Sequence, residues 1–154
     1  MNLKKEYRIK LVSKEFLNED TCYLGFECPE IAASAVPGQF VNISAGTVFL
    51  KRPFGIASVN KENGTFNIGV KVVGKGTAEI SQFEPGLFVD CLGPLGNGFD
   101  FEGYDNVILT GGGTGVFHTD SHPDRRLGGA HGGPAVREHD RPYVGTVPFG
   151  CGRL

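Results

Sequence analysis

The sequence predicts a mainly β protein, a six-stranded antiparallel barrel followed by only the first strand of an α/β domain. Three observations predict it. From Tyr7 to Leu92 the chain is a series of short β-rich runs, a pattern of strands and not of helices. Turn residues separate the runs, with Pro37-Gly38 and Pro85-Gly86 each placed just before one. Further on, Asn106-Val107-Ile108-Leu109-Thr110 is a short apolar run ending in three glycines, as a buried parallel strand does when it feeds a phosphate loop.

Taken in order, the barrel strands are expected at Tyr7 to Lys14, Thr21 to Glu27, Gln39 to Ser44, Phe54 to Asn60, Thr65 to Val73 and Leu87 to Leu92. Asn63-Gly64 joins the fourth and fifth as a tight hairpin, because Asn and Gly both tolerate positive φ. One helical turn at Ala78-Glu79-Ile80-Ser81 is interposed before the last strand. Six short antiparallel strands suit a small barrel, closed so that no edge is left to pair with another chain.

The 154 residues suffice for one domain with a real core, or for one domain and a fragment. A net charge of -2 gives no electrostatic reason to expect nucleic acid or an anionic membrane as partner. Lys4, Lys5, Arg8 and Lys10 read as the solvated face of a strand. No run approaches the roughly 20 apolar residues of a membrane span, and the first residues lack the apolar core of a signal peptide, so a cytoplasmic location is expected. Cys22, Cys28, Cys91 and Cys151 show none of the close spacings of zinc or cluster sites. The first three are expected as buried free thiols, since Cys22 and Cys28 on one strand would stand some 20 Å apart, too far for a disulfide.

Beyond Phe117 the composition changes. All four histidines lie at or after His118, every lysine lies at or before Lys75, and the basic residues of the tail are all arginine. The segment has no Ile or Met and is rich in Gly and Pro, so it buries too little apolar surface to offset its ordering entropy; residues 118 to 154 are expected to be largely disordered. The switch from Lys to Arg with loss of periodicity is what a shifted reading frame would write, an expectation that an intact frame across Val116 would overturn; the alternative is a natural low-complexity tail. His118, Asp120, His122 and Asp124 have metal-ligand chemistry but read as solvated residues, and no metal site is expected.

Two short strings have the chemistry of an anion cradle. Arg52 precedes Pro53, which fixes φ and keeps the chain extended. A planar guanidinium there can bind a phosphate through two parallel hydrogen bonds, while the backbone of Phe54-Gly55-Ile56 lies against a flat ring. The alternative is an ordinary surface arginine. In Gly74-Lys75-Gly76-Thr77 the glycines let the backbone approach a ligand, and Thr77 can cap a short helix whose exposed N–H groups favour a pyrophosphate. Its alternative is a plain strand-to-helix turn. A hairpin returning through Asn63-Gly64 would set Arg52 and Thr77 on one rim of the barrel.

Together, Pro37-Gly38-Gln39-Phe40, Arg52-Pro53-Phe54-Gly55-Ile56, Val73-Gly74-Lys75-Gly76-Thr77 and Leu92-Gly93-Pro94-Leu95-Gly96-Asn97-Gly98-Phe99 resemble the flavin-binding barrel of the ferredoxin reductase family. Within it, the last string resembles the electron-transfer subunits of NAD-linked dihydroorotate dehydrogenases. The resemblance covers roughly residues 5 to 116. It implies an FAD-binding barrel over residues 1–100, the start of an NAD-binding domain over 101–117, and a tail outside the family pattern. It further implies FAD contacts from Arg52, Pro53, Phe54 and Gly55, from Gly69, Val70 and Lys71, and from Gly76 and Thr77. The fourth residue of the first motif is usually Ser or Thr in the family; here it is Gly55, which leaves a backbone N–H in place of a hydroxyl.

Gly111-Gly112-Gly113-Thr114-Gly115-Val116 resembles the start of the family's NAD-binding domain, with Gly112 and Gly113 as its candidate contacts, and is short of a full dinucleotide fingerprint. A glycine-rich strand end is the alternative. The resemblance implies NAD(H) and, from a later run of four cysteines, a 2Fe-2S cluster; Cys151 alone cannot hold a cluster. The implied activity is electron transfer between NAD(H) and a catalytic dihydroorotate dehydrogenase subunit that oxidises dihydroorotate to orotate, impaired here by the missing half of the cleft. The alternatives are a subunit of an NADH-dependent ferredoxin:NADP or sulfide dehydrogenase complex, and a flavin-binding barrel without turnover.

Overall fold

The structure is a computed structural model that describes residues 5–100, 106–111, 113–115, 117 and 143–148. Six strands, β1 (Glu6–Phe16), β2 (Thr21–Glu27), β3 (Phe40–Ala45), β4 (Val48–Asn60), β5 (Thr65–Lys71) and β6 (Phe88–Leu95), form a closed barrel in the order β1-β2-β5-β4-β3-β6. Every neighbouring pair is antiparallel, and β6 returns to β1 through Glu6↔Leu92 to Lys10↔Phe88, so no strand is left as an edge.

Alternation of side chains drives the closure. Ile9 and Leu11, Leu24 and Phe26, Val41 and Ile43, Phe54 and Ile56, Phe66, Ile68 and Val70, and Val89 and Cys91 all point inward and are buried. Phe26 and Phe66 face each other in register, with ring centroids 5.7 Å apart. A fully buried apolar side chain of this size contributes about 1.5–3 kcal/mol, so the barrel interior supplies the fold's main driving force. Cys22, Cys28 and Cys91 are buried free thiols, as expected.

Two short helices cover the barrel: α1 (Pro29–Ser34), through Ile31 and Ala32, and α2 (Lys75–Ser81), through Ile80. Only the second is expected from the sequence. The first has its own signals, Pro29 in the first turn and Glu30 at the positive end of the helix, but six residues are too few to display a period.

The β4–β5 connection runs over residues 61–64, as the expected strand bounds leave it: Asn60 pairs with Thr65, and the Asn63 N–H donates to the Asn60 side-chain oxygen at 2.9 Å. Gly64, at φ +64°, is packed on Pro29, and its carbonyl accepts from the Cys28 N–H, so the loop also anchors α1. Two further expectations need correction. Strand β4 begins at Val48, six residues before its expected start, with Pro53 inside it. Proline is tolerated there because β4 pairs with β5 only from Ile56 onward, which leaves this stretch bonded on one side alone. Finally, β7 (Asn106–Gly111) does not stand as a parallel strand: it pairs antiparallel with β8 (Tyr143–Pro148), from Asn106↔Pro148 to Gly111↔Tyr143. Tyr143-Val144-Gly145-Thr146-Val147 is a β-rich run that the composition of the whole tail averaged away. The rest of the segment expected to be disordered lies outside the described residues.

Candidate functional site

On the rim of the barrel β4 passes in front of α2. Arg52, opposite Ile43 in the β3–β4 ladder, is half-buried, and its Nη1 donates to the carbonyl of Leu50 at 3.1 Å. Its guanidinium lies directly over Gly76: a Cβ added to Gly76 would stand 2.6 Å from Nε and 3.2 Å from Cζ. The missing side chain of Gly76, expected to bare the backbone for a ligand, makes room for the arginine instead. Gly74, by contrast, opens on space with nothing within 4 Å.

The N-cap of α2 is Gly74 and not Thr77, which stands inside the first turn because the helix begins at Lys75. The Thr77 Oγ1 accepts from the N–H groups of Val73 (2.9 Å) and Gly74 (3.1 Å) and donates to the Gly74 carbonyl (3.0 Å). The helical ladder starts with Ala78 N–H to Gly74 O, so the N–H groups of Lys75, Gly76 and Thr77 precede the first helical bond. A fixed cation therefore sits against the positive end of a helix, and among the described residues Arg52 has no acidic partner. Two positive poles in contact are unfavourable by themselves and favourable with an anion between them. A phosphate or pyrophosphate group fits this arrangement.

The other predicted contacts divide by the pleat. The side chains of Phe54 and Val70 are buried in the core, so only their backbone can meet a ligand. Pro53 is exposed, and Gly55, Gly69 and Lys71 are partly exposed. The Lys71 ammonium pairs with Asp20 at 3.5 Å. Gly69 is covered by the ring of Phe117, which lies flat where a Cβ would stand and packs at 5.7 Å on Tyr23, the residue opposite Gly69 in the β2–β5 ladder. The bare Cα of Gly69 thus accommodates a flat aromatic ring. Sequence reasoning missed Phe117, whose one signal is an aromatic placed just after a glycine-rich loop.

The remaining two motif strings meet each other. Gly38, at φ +88°, receives the ring of Phe99, whose N–H donates to the Pro37 carbonyl at 2.8 Å. Gly98, at φ +77°, approaches Val36 and the Pro37 carbonyl so closely that a Cβ would overlap both. Gln39 completes the lock: its Nε2 donates to the Gly96 carbonyl at 2.8 Å and its Oε1 accepts from the Val36 N–H at 3.0 Å. The Gln39 carbonyl accepts from the Ile56 N–H at 3.0 Å, which ties this lock to the strand carrying Arg52.

Of the nicotinamide-side candidates, Gly113 opens a single 3-10 turn through Gly115, and Gly112 lies outside the described residues, as do His118, Asp120, His122 and Asp124. Among the described residues no three His, Cys, Asp or Glu side chains converge on a metal position, and no helix is long and apolar enough to cross a membrane.

Residues 8–99 match the family described as the oxidoreductase FAD-binding domain. The chain is 39% identical over 100 residues to the dihydroorotate dehydrogenase B (NAD(+)) electron transfer subunit of Desulforamulus reducens, covering 63% of this chain and 38% of that protein. It is equally identical over 108 residues to the homolog of that subunit from Thermotoga maritima, covering 70% and 38%. A solved chain from the NADH-dependent reduced ferredoxin-NADP oxidoreductase, a study of flavin-based electron bifurcation, superposes with a TM-score of 0.68 at 38% identity, over 72% of this chain and 41% of that one. The ferredoxin reductase of carbazole 1,9a-dioxygenase shares the fold, with a TM-score of 0.65 at 21% identity, over 76% of this chain and 37% of that one. The chain thus spans about two fifths of the length of these relatives.

Proposed function

Since this chain belongs to the oxidoreductase FAD-binding domain family, we propose that its barrel holds FAD on the rim formed by β4, β5 and the start of α2. The observation that carries the reading is Arg52, without an acidic partner among the described residues, seated on Gly76 at the first turn of α2. In this reading Arg52 and the N–H groups of Gly76 and Thr77 hold the pyrophosphate. The backbone of Pro53, Phe54 and Gly55 and of Val70 and Lys71 lines the flavin, with Gly69 open to it once the Phe117 ring that covers it in this structure is displaced. Bound FAD supplies one- and two-electron chemistry, and the protein supplies orientation and electrostatics.

The activity is flavin-dependent electron transfer between NAD(H) and a catalytic partner subunit that oxidises dihydroorotate to orotate. Support comes from the 39% identity to subunits of that name. A second reading, a subunit of an NADH-dependent ferredoxin:NADP oxidoreductase assembly, is favoured by the 38% identity to a solved chain of that kind. Gly112 and Gly113 would contribute to the nicotinamide side in either case.

The test is an absorbance spectrum of purified protein reconstituted with FAD, followed by anaerobic NADH. Flavin bands at about 375 and 450 nm that survive gel filtration are expected. Bleaching by NADH would add a working nicotinamide site, bound flavin that NADH leaves oxidised would mean a barrel without turnover, and no retained flavin would refute the reading. Reoxidation of the reduced protein by a dihydroorotate dehydrogenase catalytic subunit with orotate, set against ferredoxin, separates the two assemblies.

A further inference from the structure

We propose that Glu79 is a positioning residue for the Arg52 cradle: it clamps the β3–β4 hairpin onto α2 and so sets where the guanidinium lies over Gly76. The inference rests on reading this rim as the FAD site. Both oxygens of the Glu79 carboxylate are engaged by one residue at the hairpin tip. The Thr47 N–H donates to Oε1 and the Thr47 hydroxyl to Oε2, each at 2.8 Å. Gly46 completes the fit: at φ +23° its Cα is so close to the carboxylate that a Cβ would stand 2.5 Å from Oε1.

The hairpin needs such a tie. Between Val48 and Arg52 strand β4 pairs with β3 alone, since β5 joins only at Ile56. Arg52 folds back on this same arm through Leu50, so its guanidinium moves as the arm moves. Glu79 and Gly76 are three residues apart on α2 and thus neighbours on one helix face. The arm therefore meets α2 at two points one turn apart: at the clamp, and at the glycine that receives Arg52.

The test compares Glu79→Ala, Glu79→Gln, Thr47→Val and Arg52→Ala in the full chain. FAD titration is read by flavin fluorescence, and the Arg52 Nε–H and Gly76 N–H resonances of the flavin-free protein by nitrogen-15 NMR. Glu79→Ala is expected to weaken FAD binding about tenfold and to shift both resonances, because charge-assisted hydrogen bonds are short and geometrically demanding. Glu79→Gln, whose amide still accepts from the Thr47 N–H and donates to its hydroxyl, is expected to restore affinity to within about threefold. A loss of packing alone would not be rescued so selectively. Should Glu79→Ala fail to fold, Thr47→Val, which removes only the hydroxyl bond, is expected to give the same shifts at smaller size. Parental affinity and unmoved resonances in Glu79→Ala overturn the proposal. Parental affinity in Arg52→Ala overturns the FAD rim itself, and the resonances then decide the clamp alone.

Discussion

Replacing Gly76 with alanine separates the cofactor role of this rim from its structural one, because the two respond with opposite signs. The new Cβ would stand 2.6 Å from Arg52 Nε, and the guanidinium must retreat by about 1 Å to reach ordinary contact. The retreat is cheap for the fold, since the obstacle is the far end of a flexible side chain, and alanine gains up to about 1 kcal/mol of helix propensity over glycine. For the ligand it is expensive. A hydrogen bond to a charged group contributes about 1.5–3 kcal/mol, and a displacement of this size would forfeit one or more of those that the proposed site has Arg52 make to a pyrophosphate. At about 1.4 kcal/mol per tenfold, FAD binding should weaken by one to two orders of magnitude. The assay pairs FAD titration with thermal unfolding of the flavin-free protein. An unchanged or slightly raised melting temperature with weakened binding is expected; a Gly76→Ala protein that binds FAD like the parent, or one that melts several degrees earlier, refutes the reasoning.

Other outcomes follow from the same geometry. The two Thr47 hydrogen bonds hold the Glu79 carboxyl below the usual glutamate range. A depressed folded-state pKa means that the clamp contributes fully above the unfolded value and is lost as pH falls through the folded one; the protection of the Thr47 amide, its exchange rate relative to the intrinsic rate at each pH, should fall only in acid, and Glu79→Gln should abolish that dependence. Burial pushes the Cys91 thiol up to about 12 and raises Cys22 and Cys28 as well, so iodoacetamide at mildly alkaline pH should leave all three peptides unlabelled by mass spectrometry until urea unfolds the barrel. Ile68, wholly buried between Leu24 and Ile56, should cost about 2–5 kcal/mol as alanine, read as a lower urea midpoint at constant slope.

How much of this was legible in the sequence depended on the range of the signal. β-rich runs set between turn residues are local and repeated, so all six strands could be read directly, though not where the fourth begins. The contact of Arg52 with Gly76 was foreseeable as a shared rim, since the β4–β5 hairpin carries the chain back toward the start of α2. Its detail was not, because a glycine with room for a ligand and a glycine with room for a guanidinium have the same sequence. Pro53 was legible as extended backbone, but that it lies inside a strand was not, because this depends on the one-sided pairing of β4 at that point. Phe117 and β8 act across long separations, where neither period nor composition reports which face a residue will cover.

The interlock of Val36–Phe40 with Gly96–Phe99 changes how sequence variation in this family is to be weighed. Two of the four strings that carry the family likeness serve to close the barrel between β3 and β6, where the left-handed glycines 38 and 98 hold positions that no other residue can fill without strain. The demand for glycine at these two positions is therefore a folding constraint, independent of what the rim binds. A substitution at either glycine would register in a growth or abundance screen as lost function, yet each molecule that still folded would keep its affinity for the cofactor. On the proposed reading, fold and affinity are thus carried by separate strings of this chain, the second by the Arg52–Gly76 rim and the Thr47–Glu79 clamp behind it.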